Sequence, residues 1–447
     1  MSTATTETPA DGSPAPRPSV WRNADFTKLW LGQTASQFAA QISDFALPLT
    51  AVLALAASSE QVGLLSSFIR LPYLLVSLFA GVLVDRMYRR NLMAAADLGR
   101  ALLLGAVPVL YWMHELGISW LYLLGFLAGC CTVLFDVAAQ AYLPRLVERE
   151  DLAAGNSALG SSQSAATIGG PALGGVLVQW LTAPVAVLAA SVSYLVSVVN
   201  IWLIRHREHV EPSGATGAGG TLKQVKDGLV LVFRNEQLRT MTIMASVFNL
   251  SFTAFEVVFV QYMPHTLGLS AGEIGLVMAA MGPGFLIGAM FAGKLPKRFG
   301  YGRTIIVTAC VANLVMPLIA AVHGGGWLSV GSLMVINFLF SSFGVANNVT
   351  MLTIRQSVTP DSLQGRVAAT NRFVAMGIAP LGALAGGFLG SAAGLRGAVL
   401  ITTLGFCFAL IPLSLSSLVR IKHKLPDPIE DPAADPAADK TAAQAAE

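Results

Sequence analysis

The sequence predicts an all-α membrane protein, with twelve transmembrane helices in two pseudo-symmetric six-helix bundles. Three observations predict it. Of 447 residues, 54% are hydrophobic and only 12% are charged, whereas a soluble globular chain carries about a quarter charged residues. Long apolar runs alternate with short charged turns, the pattern of a polytopic helical protein. The third is a repeat. Phe79-Ala80-Gly81-Val82-Leu83-Val84-Asp85-Arg86-Met87-Tyr88-Arg89-Arg90 returns in altered form 212 positions later as Phe291-Ala292-Gly293-Lys294-Leu295-Pro296-Lys297-Arg298-Phe299. The same offset carries Gln37, Gln41 and Asp44 onto Asn249, Thr253 and Glu256, and Asp136 onto Asn348. A polar pattern repeated inside two hydrophobic halves marks a duplicated membrane carrier.

The elements follow in order. Residues 1–22 are polar and Pro-rich and read as a disordered cytoplasmic tail, not a targeting peptide. Apolar runs predict spans near 27–56, 60–84, 91–112, 119–141, 152–179 and 184–204, which form a first bundle over 23–204. A polar linker, 205–237, holds a glycine-rich run and then Leu222 to Phe233, whose pattern suits an amphipathic helix on the inner membrane surface. Spans near 238–262, 271–294, 304–322, 327–353, 364–390 and 396–419 form a second bundle over 238–420. The Asp-Pro-Ala-Ala repeat within 421–447 reads as a second disordered cytoplasmic tail.

Orientation comes from the basic residues. Of the 28 Lys and Arg, Arg70 and Arg100 fall within spans and Arg396 in an outer loop. The other 25 lie in the tails and on one side of the loops. An excess of basic residues marks the cytoplasmic side, so both termini are expected there, in a cell inner (plasma) membrane. The four cysteines sit inside spans without metal-ligand spacing, and the six histidines sit in loops or near span ends with no spaced partner. Gly288 to Lys294 approaches a phosphate-binding loop, but Leu295 stands where that loop needs Ser or Thr, and a membrane helix precedes it instead of a strand. No enzyme chemistry, metal, cofactor or nucleic-acid partner is expected.

The polar residues inside the spans carry the functional reading. Gln33, Gln37, Gln41 and Asp44 fall within an arc of about 80° on one face of span 1. A carboxylate at the bilayer centre costs roughly 2.5–3.5 kcal/mol on insertion scales, so this face is expected to line a watery cavity. Asn249, Thr253 and Glu256 repeat the design on span 7, and Asn337, Ser341 and Asn348 add to it on span 10. These residues are the expected substrate cavity, with Asp44, Glu256 and Arg70 as proton-coupling candidates. Arg70 lies at a depth of roughly 15 Å, comparable to that of Asp44, so an Asp44–Arg70 ion pair is expected. Asp97 and Arg100, three apart on span 3, share a face and read as a structural pair. On span 5, Gly170, Pro171, Gly174 and Gly175 combine a helix-bending proline with close-packing glycines. Pro171 matches Pro380 of the second half after a small gap.

The chain resembles the major facilitator superfamily over nearly all its length except the tails. Gly81, Asp85, Arg86, Arg89 and Arg90 look like that superfamily's loop motif between spans 2 and 3, with Tyr88 where a Gly is usual. Phe135-Asp136-Val137-Ala138, Leu143-Pro144-Arg145-Leu146-Val147, Asp151-Leu152 and the Ser43-Asp44 and Ala46-Leu47-Pro48 stretches are similar to the group with siderophore exporters and macrolide-efflux pumps. The resemblance implies a conformational latch in which Asp85 meets the N-terminus of span 11 and the arginines meet an acid on span 4, Asp136 being the match. It implies that the Gly170 motif belongs to antiporters. The expected function is proton-coupled efflux of a hydrophobic or amphipathic small molecule by a monomeric carrier. The alternatives are an uptake symporter or facilitator of the same fold, or a non-transporting receptor.

Overall fold

The computed structural model describes residues 20–76, 80, 83, 84, 87–205, 229, 230 and 232–426. Among these residues there are no strands, and the chain runs through twelve helical spans. Span 1 is Ala24–Leu49 and span 2 is Ser59–Leu75, with further helical residues at 80, 83 and 84. Spans 3 to 6 are Arg89–Trp112, Ile118–Leu146, Leu152–Leu181 and Ala183–Trp202. Span 7 is Glu236–Thr266, and span 8 is Ala271–Ala279 continued by Met281–Ala292. Span 9 is Tyr301–Val315 with the turn Met316–Ala321, and span 10 is Trp327–Val358. Span 11 is Asp361–Gly377 continued by Ala379–Ala392, and span 12 is Gly394–Phe408 continued by Leu410–Ser414. Prolines stand at or just past each of these breaks, at Pro283, Pro317, Pro380 and Pro412, because proline withholds a helical donor. Residues 1–19 and 427–447, most of the linker, and Gly81, Asp85 and Arg86 lie outside the described residues.

The duplication is written into the helix starts. Asn23 Oδ1 accepts from the backbone N–H groups of Asp25 and Phe26 at 3.0 and 3.2 Å, and Asn235, 212 residues on, accepts from Leu238 at 3.0 Å. Span 2 opens on a reciprocal cap between Ser58 and Gln61; span 8 opens on the same cap between Ser270 and Glu273. Each cap satisfies backbone donors that the first turn of a helix cannot pair internally. Such caps matter most where a helix end has no water to fall back on.

Among the described residues nine helices are long and apolar enough to cross a membrane by length and composition alone. Spans 1 and 5 fall short by composition: span 1 carries the glutamine face, and span 5 carries Asn156, Gln163 and several serines. Both line the central cavity, which is why they can be this polar. The described helix of span 2, Ser59–Leu75, is 17 residues long and is too short to count by itself. Large apolar side chains such as Leu102, Leu328 and Leu415 are exposed on the outside, the surface hydrocarbon would cover. Trp112, Trp120, Trp180, Trp202 and Trp327 are exposed at span ends, where amphipathic rings meet the lipid headgroups.

The two halves touch through spans 2 and 11 and through spans 5 and 8. The contacts close to backbone distance. A Cβ on Gly63 would lie 2.7 Å from the Ala383 carbonyl and 2.8 Å from Gly387 Cα; one on Gly175 would lie 2.6 Å from Gly275 Cα. These two glycine pairs are images of each other, since Gly63 maps onto Gly275 and Gly175 onto Gly387 at the 212-residue offset. Inside each half the register also holds. Gly170 packs against Gln41 as Gly382 packs against Leu250 and Thr253. The glycines therefore repeat without the gap expected from Pro171 and Pro380: it is Ala383 that stands opposite Pro171.

Candidate functional site: a cavity between the halves

A cavity of about 870 Å³ lies between the bundles. Its wall reaches Gln140 and Pro144 on span 4 and Asn156, Gly160 and Gln163 on span 5, all exposed, with Gln140, Pro144 and Asn156 near the ends of their helices. These ends share a face with the start of span 1 and the end of span 12, here termed the terminal face. The cavity opens there. At the opposite face the glycine pairs bring the halves together, and polar bonds cross between them. Ser59 Oγ donates to Gln261 Oε1 at 2.9 Å, Ser391 Oγ to Glu60 Oε1 at 2.8 Å, and the Gly272 N–H to Gln179 Oε1 at 3.0 Å. Deeper in, Ser67 Oγ donates to the Pro380 carbonyl at 2.7 Å.

The glutamine face of span 1 points where the sequence expects it. Gln33, Gln37, Gln41 and Asp44 all line the cavity. Asp44 is an exposed residue whose open surface is this cavity, and among the described residues no side chain is bonded to it. Pro48, four residues on, also lines the cavity and has no N–H to give the Asp44 carbonyl.

Arg70 does not pair with Asp44 as expected. Its Nη2 donates to Glu256 Oε2 at 2.5 Å, an ion pair from span 2 to span 7 that bridges the two halves across the cavity. Depth along a helix set the expectation, but pairing depends on which way each side chain faces, and Glu256 projects toward Arg70 from the opposite half. Both side chains stay about two-fifths exposed, so the pair is solvated and its strength screened.

Asp97 and Arg100 form the expected structural pair, bonded to each other and almost fully buried. Ser36 Oγ accepts from Arg100 at 3.1 Å and donates to Asp97 Oδ1 at 3.2 Å. The guanidinium sits between the rings of Phe135 and Tyr194, 4.5 and 4.4 Å from their centroids. Hydrogen bonds and two aromatic faces together offset the cost of burying the charges. Asp136 lines the cavity and accepts from Tyr73 Oη at 3.0 Å. Arg90 donates to the Ile204 carbonyl at 2.7 Å, just past the end of span 6 and beside Lys28, which donates to Leu203 O at 2.9 Å. A cation there complements the negative end of a helix. Gly81, Asp85 and Arg86 of the loop motif lie outside the described residues, which leaves the latch an expectation.

Much of the second half's polar set lies elsewhere. Asn249, Thr253, Asn337, Ser341 and Asn348 are not part of the cavity wall. Asn249 Nδ2 donates to Ala245 O at 2.9 Å and Thr253 Oγ1 to Asn249 O at 2.5 Å, so both turn back onto their own helix. Asn337 is buried and donates to Val277 O at 3.3 Å, and Ser341 packs on Gly284. Small polar groups that satisfy themselves on a helix backbone need no water, which is why a polar pattern on span 10 does not define a cavity. Conversely, Tyr73, Tyr194, Met278 and Met376 line the cavity and were not anticipated. Tyr73 was within reach of sequence reasoning, because it lies three residues after Arg70 and so shares its helix face. The span 5 motif is a packing device as expected: Gly170 meets Gln41, Gly174 meets Phe45 and Gly175 meets Gly275, with Pro171 in the cavity wall.

Comparison with known proteins agrees with this architecture. The multidrug efflux pump Tap of Mycolicibacterium fortuitum is 26% identical over 341 residues, 75% of this chain and 81% of Tap. Tap of Mycobacterium tuberculosis (strain ATCC 25618 / H37Rv) is 24% identical over 372 residues, 81% and 86% of the two chains. A bacterial homologue of the iron transporter ferroportin, solved in an inward-facing state, superposes with a TM-score of 0.70 at 17% identity, over 89% of this chain and 99% of that one. A bacterial homologue of the human lysosomal transporter Spinster, inward-facing and occupied, superposes with 0.69 at 13% identity, over 93% and 100%. With residues 29–371 and 241–444 both matching the family described as Major Facilitator Superfamily, the chain belongs to that superfamily: it is a multi-pass membrane transporter of small molecules, not an enzyme.

Proposed function

We propose that this transporter exports hydrophobic or amphipathic small molecules in exchange for protons, working as a monomer in the cell inner membrane with both termini cytoplasmic. The halves 23–204 and 238–420 rock about the cavity, joined by the linker 205–237. The observation that carries this reading is the Asp44 carboxylate, unpaired among the described residues, in a cavity that opens at one face and is sealed by glycine contacts at the other. An ionisable residue held inside a membrane marks a proton or substrate path by default. With the terminal face cytoplasmic, cargo enters from the cell interior.

The Arg70–Glu256 bridge supplies a means of coupling. It joins the halves while both groups are charged. Protonating Glu256 removes the attraction and frees Arg70, which can then turn to Asp44 on the same cavity wall. Protonation and rocking are thereby linked through one guanidinium and two carboxylates. A membrane potential of 100 mV adds about 2.3 kcal/mol per charge moved, so exchange of a proton can drive uphill export. The two Tap pumps, whose names record multidrug efflux, support export over uptake.

The test uses purified protein in liposomes, loaded with each of a broad compound panel, with and without an imposed pH gradient. Export of at least one compound should follow the gradient, and Asp44→Asn should abolish that dependence. Full gradient-driven export by Asp44→Asn would remove Asp44 from the coupling. A panel in which no compound responds to the gradient would remove proton exchange altogether.

A further inference from the structure

The terminal face of the second half carries a set of cations that the cavity does not use. Lys294, Lys297 and Arg298 lie between spans 8 and 9, Arg303 lies in the first turn of span 9, Lys422 follows span 12, and all five are exposed. The backbone joins these segments. The Tyr301 N–H donates to the Lys422 carbonyl and the Gly302 N–H to the Ile421 carbonyl, both at 2.8 Å. The approach is so close that a Cβ on Gly302 would run into the Val419 carbonyl. Ile421 and Leu425 pack against the apolar core of the second bundle and leave Lys422 exposed. The cations therefore share one framework, built where span 9 begins. Among the described residues no carboxylate and no hydrogen-bond acceptor is bound by any of the five side chains. Two of them lie over aromatic rings instead: Lys294 Nζ is 6.0 Å from the Phe291 centroid and Arg298 Cζ 5.4 Å from that of Phe299. Both rings are about half exposed. The first half is built differently, since Asp85 stands in its sequence where Lys297 stands here, and its Arg90 is bonded to the Ile204 carbonyl.

We infer that this framework binds an anionic phospholipid of the adjoining leaflet, its phosphate held by the cations and its acyl chains lying beside Phe291 and Phe299. A helix end where an exposed ring carries a cation above it matches the boundary between hydrocarbon and headgroup, because the ring and the side-chain stem favour the apolar layer and the charged head favours the phosphates. Each Lys or Arg near an anionic membrane surface strengthens attachment by about fivefold. Five such groups, with no acid among the described residues to offset them, therefore separate anionic from zwitterionic lipid strongly. The acids of the C-terminal tail, Asp427, Glu430, Asp431, Asp435 and Asp439, carry the same sign as a phosphate. They stand among alanines and prolines, with little apolar bulk to cover two phenylalanine rings, whereas a lipid supplies the charge and the bulk together. The inference concerns a lipid and not the cargo, so it holds for either direction of transport and any coupling ion.

The test is lipid binding to the delipidated full-length protein in detergent, read by native mass spectrometry. The probes are dioleoylphosphatidylglycerol and dioleoylphosphatidylcholine, which share their acyl chains and differ in net charge. The first lipid molecule bound should be phosphatidylglycerol, held at least about tenfold more tightly than phosphatidylcholine. The triple variant Lys294→Gln/Lys297→Gln/Arg298→Gln should lower phosphatidylglycerol affinity by at least about tenfold and leave phosphatidylcholine binding unchanged. Arg22→Gln/Arg145→Gln, which removes exposed cations from the terminal face of the first half, should leave the affinity for both lipids unchanged. All of these side chains are exposed, and a size-exclusion profile establishes that each variant is folded. Equal binding of the two lipids, or an unchanged phosphatidylglycerol affinity in the folded triple variant, would overturn the inference. An equal loss in the Arg22→Gln/Arg145→Gln variant would do so too, because attraction would then belong to the whole face. Tight phosphatidylglycerol binding that appears only after residues 427–447 are removed would assign the cations to the tail and overturn it as well.

Discussion

One added methyl group at Gly387 should force the sealed face of this transporter apart. The new Cβ would lie 2.8 Å from the Ser59 carbonyl oxygen, 3.0 Å from Gly63 Cα and 3.3 Å from Glu60 Cα, whereas ordinary contacts fall at 3.4–4 Å. Every opposing atom belongs to backbone, which cannot swing aside as a side chain tip can. Spans 2 and 11 must separate by several tenths of an ångström, and overpacking of this kind costs about 1–3 kcal/mol. The contact exists only while this face is closed, so the cost falls on that conformation alone. A bias of that size shifts a two-state equilibrium by roughly 5–150-fold toward opening at the sealed face. The measurement is a spin-label distance between Glu115 and His323, exposed loop positions on that face in opposite halves, in a background lacking the four native cysteines. Gly387→Ala should raise a longer-distance population that is minor in the parent protein. Gly175→Ala, at the symmetry-related contact, should act the same way. Gly331→Ala, where an added Cβ meets nothing within 4 Å, should leave the distribution alone. Unchanged distances in both Gly387→Ala and Gly175→Ala would refute the assignment of these glycines as the closure.

Other expectations follow from the pairs of charges. Asp97→Asn leaves Arg100 buried with its counter-charge gone, which should cost about 3–5 kcal/mol and appear as a large drop in thermal unfolding temperature or in folded yield. Glu256→Gln should cost no more than about 1 kcal/mol in the same unfolding assay, since its bridge to Arg70 is solvated. The same variant should lose gradient-driven export, and retention of full export would remove the bridge from the coupling. Asn23→Ala removes the acceptor for two backbone donors at the start of span 1 and should destabilise by about 1 kcal/mol in chemical denaturation.

Much of the fold was legible because its determinants are local. The apolar run 119–141 located span 4, which extends as Ile118–Leu146, and the 212-residue repeat announced two halves. Within the site, the same reasoning placed Gln33, Gln37, Gln41 and Asp44 on one cavity-facing stripe, since helical spacing decides which residues share a face. It also paired Asp97 with Arg100, which are neighbours on a single helix. The failures are of one kind. The partner of Arg70, the absence of Asn249 and Thr253 from the cavity wall, and the burial of Asn337 each depend on how one helix is rotated against another.

Composition and repeat, read along the chain alone, determine that this protein spans a membrane as two related halves with a carboxylate-bearing face on span 1. Hydrophobic length and helical periodicity suffice for that, because both act within one helix. Only the tertiary structure decided that Arg70 reaches across to Glu256 and that Gly63 meets Gly387 while Gly175 meets Gly275. Contacts between helices are set by the rotation and approach that packing allows, and a sequence with one residue every 100° around each helix does not record how two helices are turned toward each other.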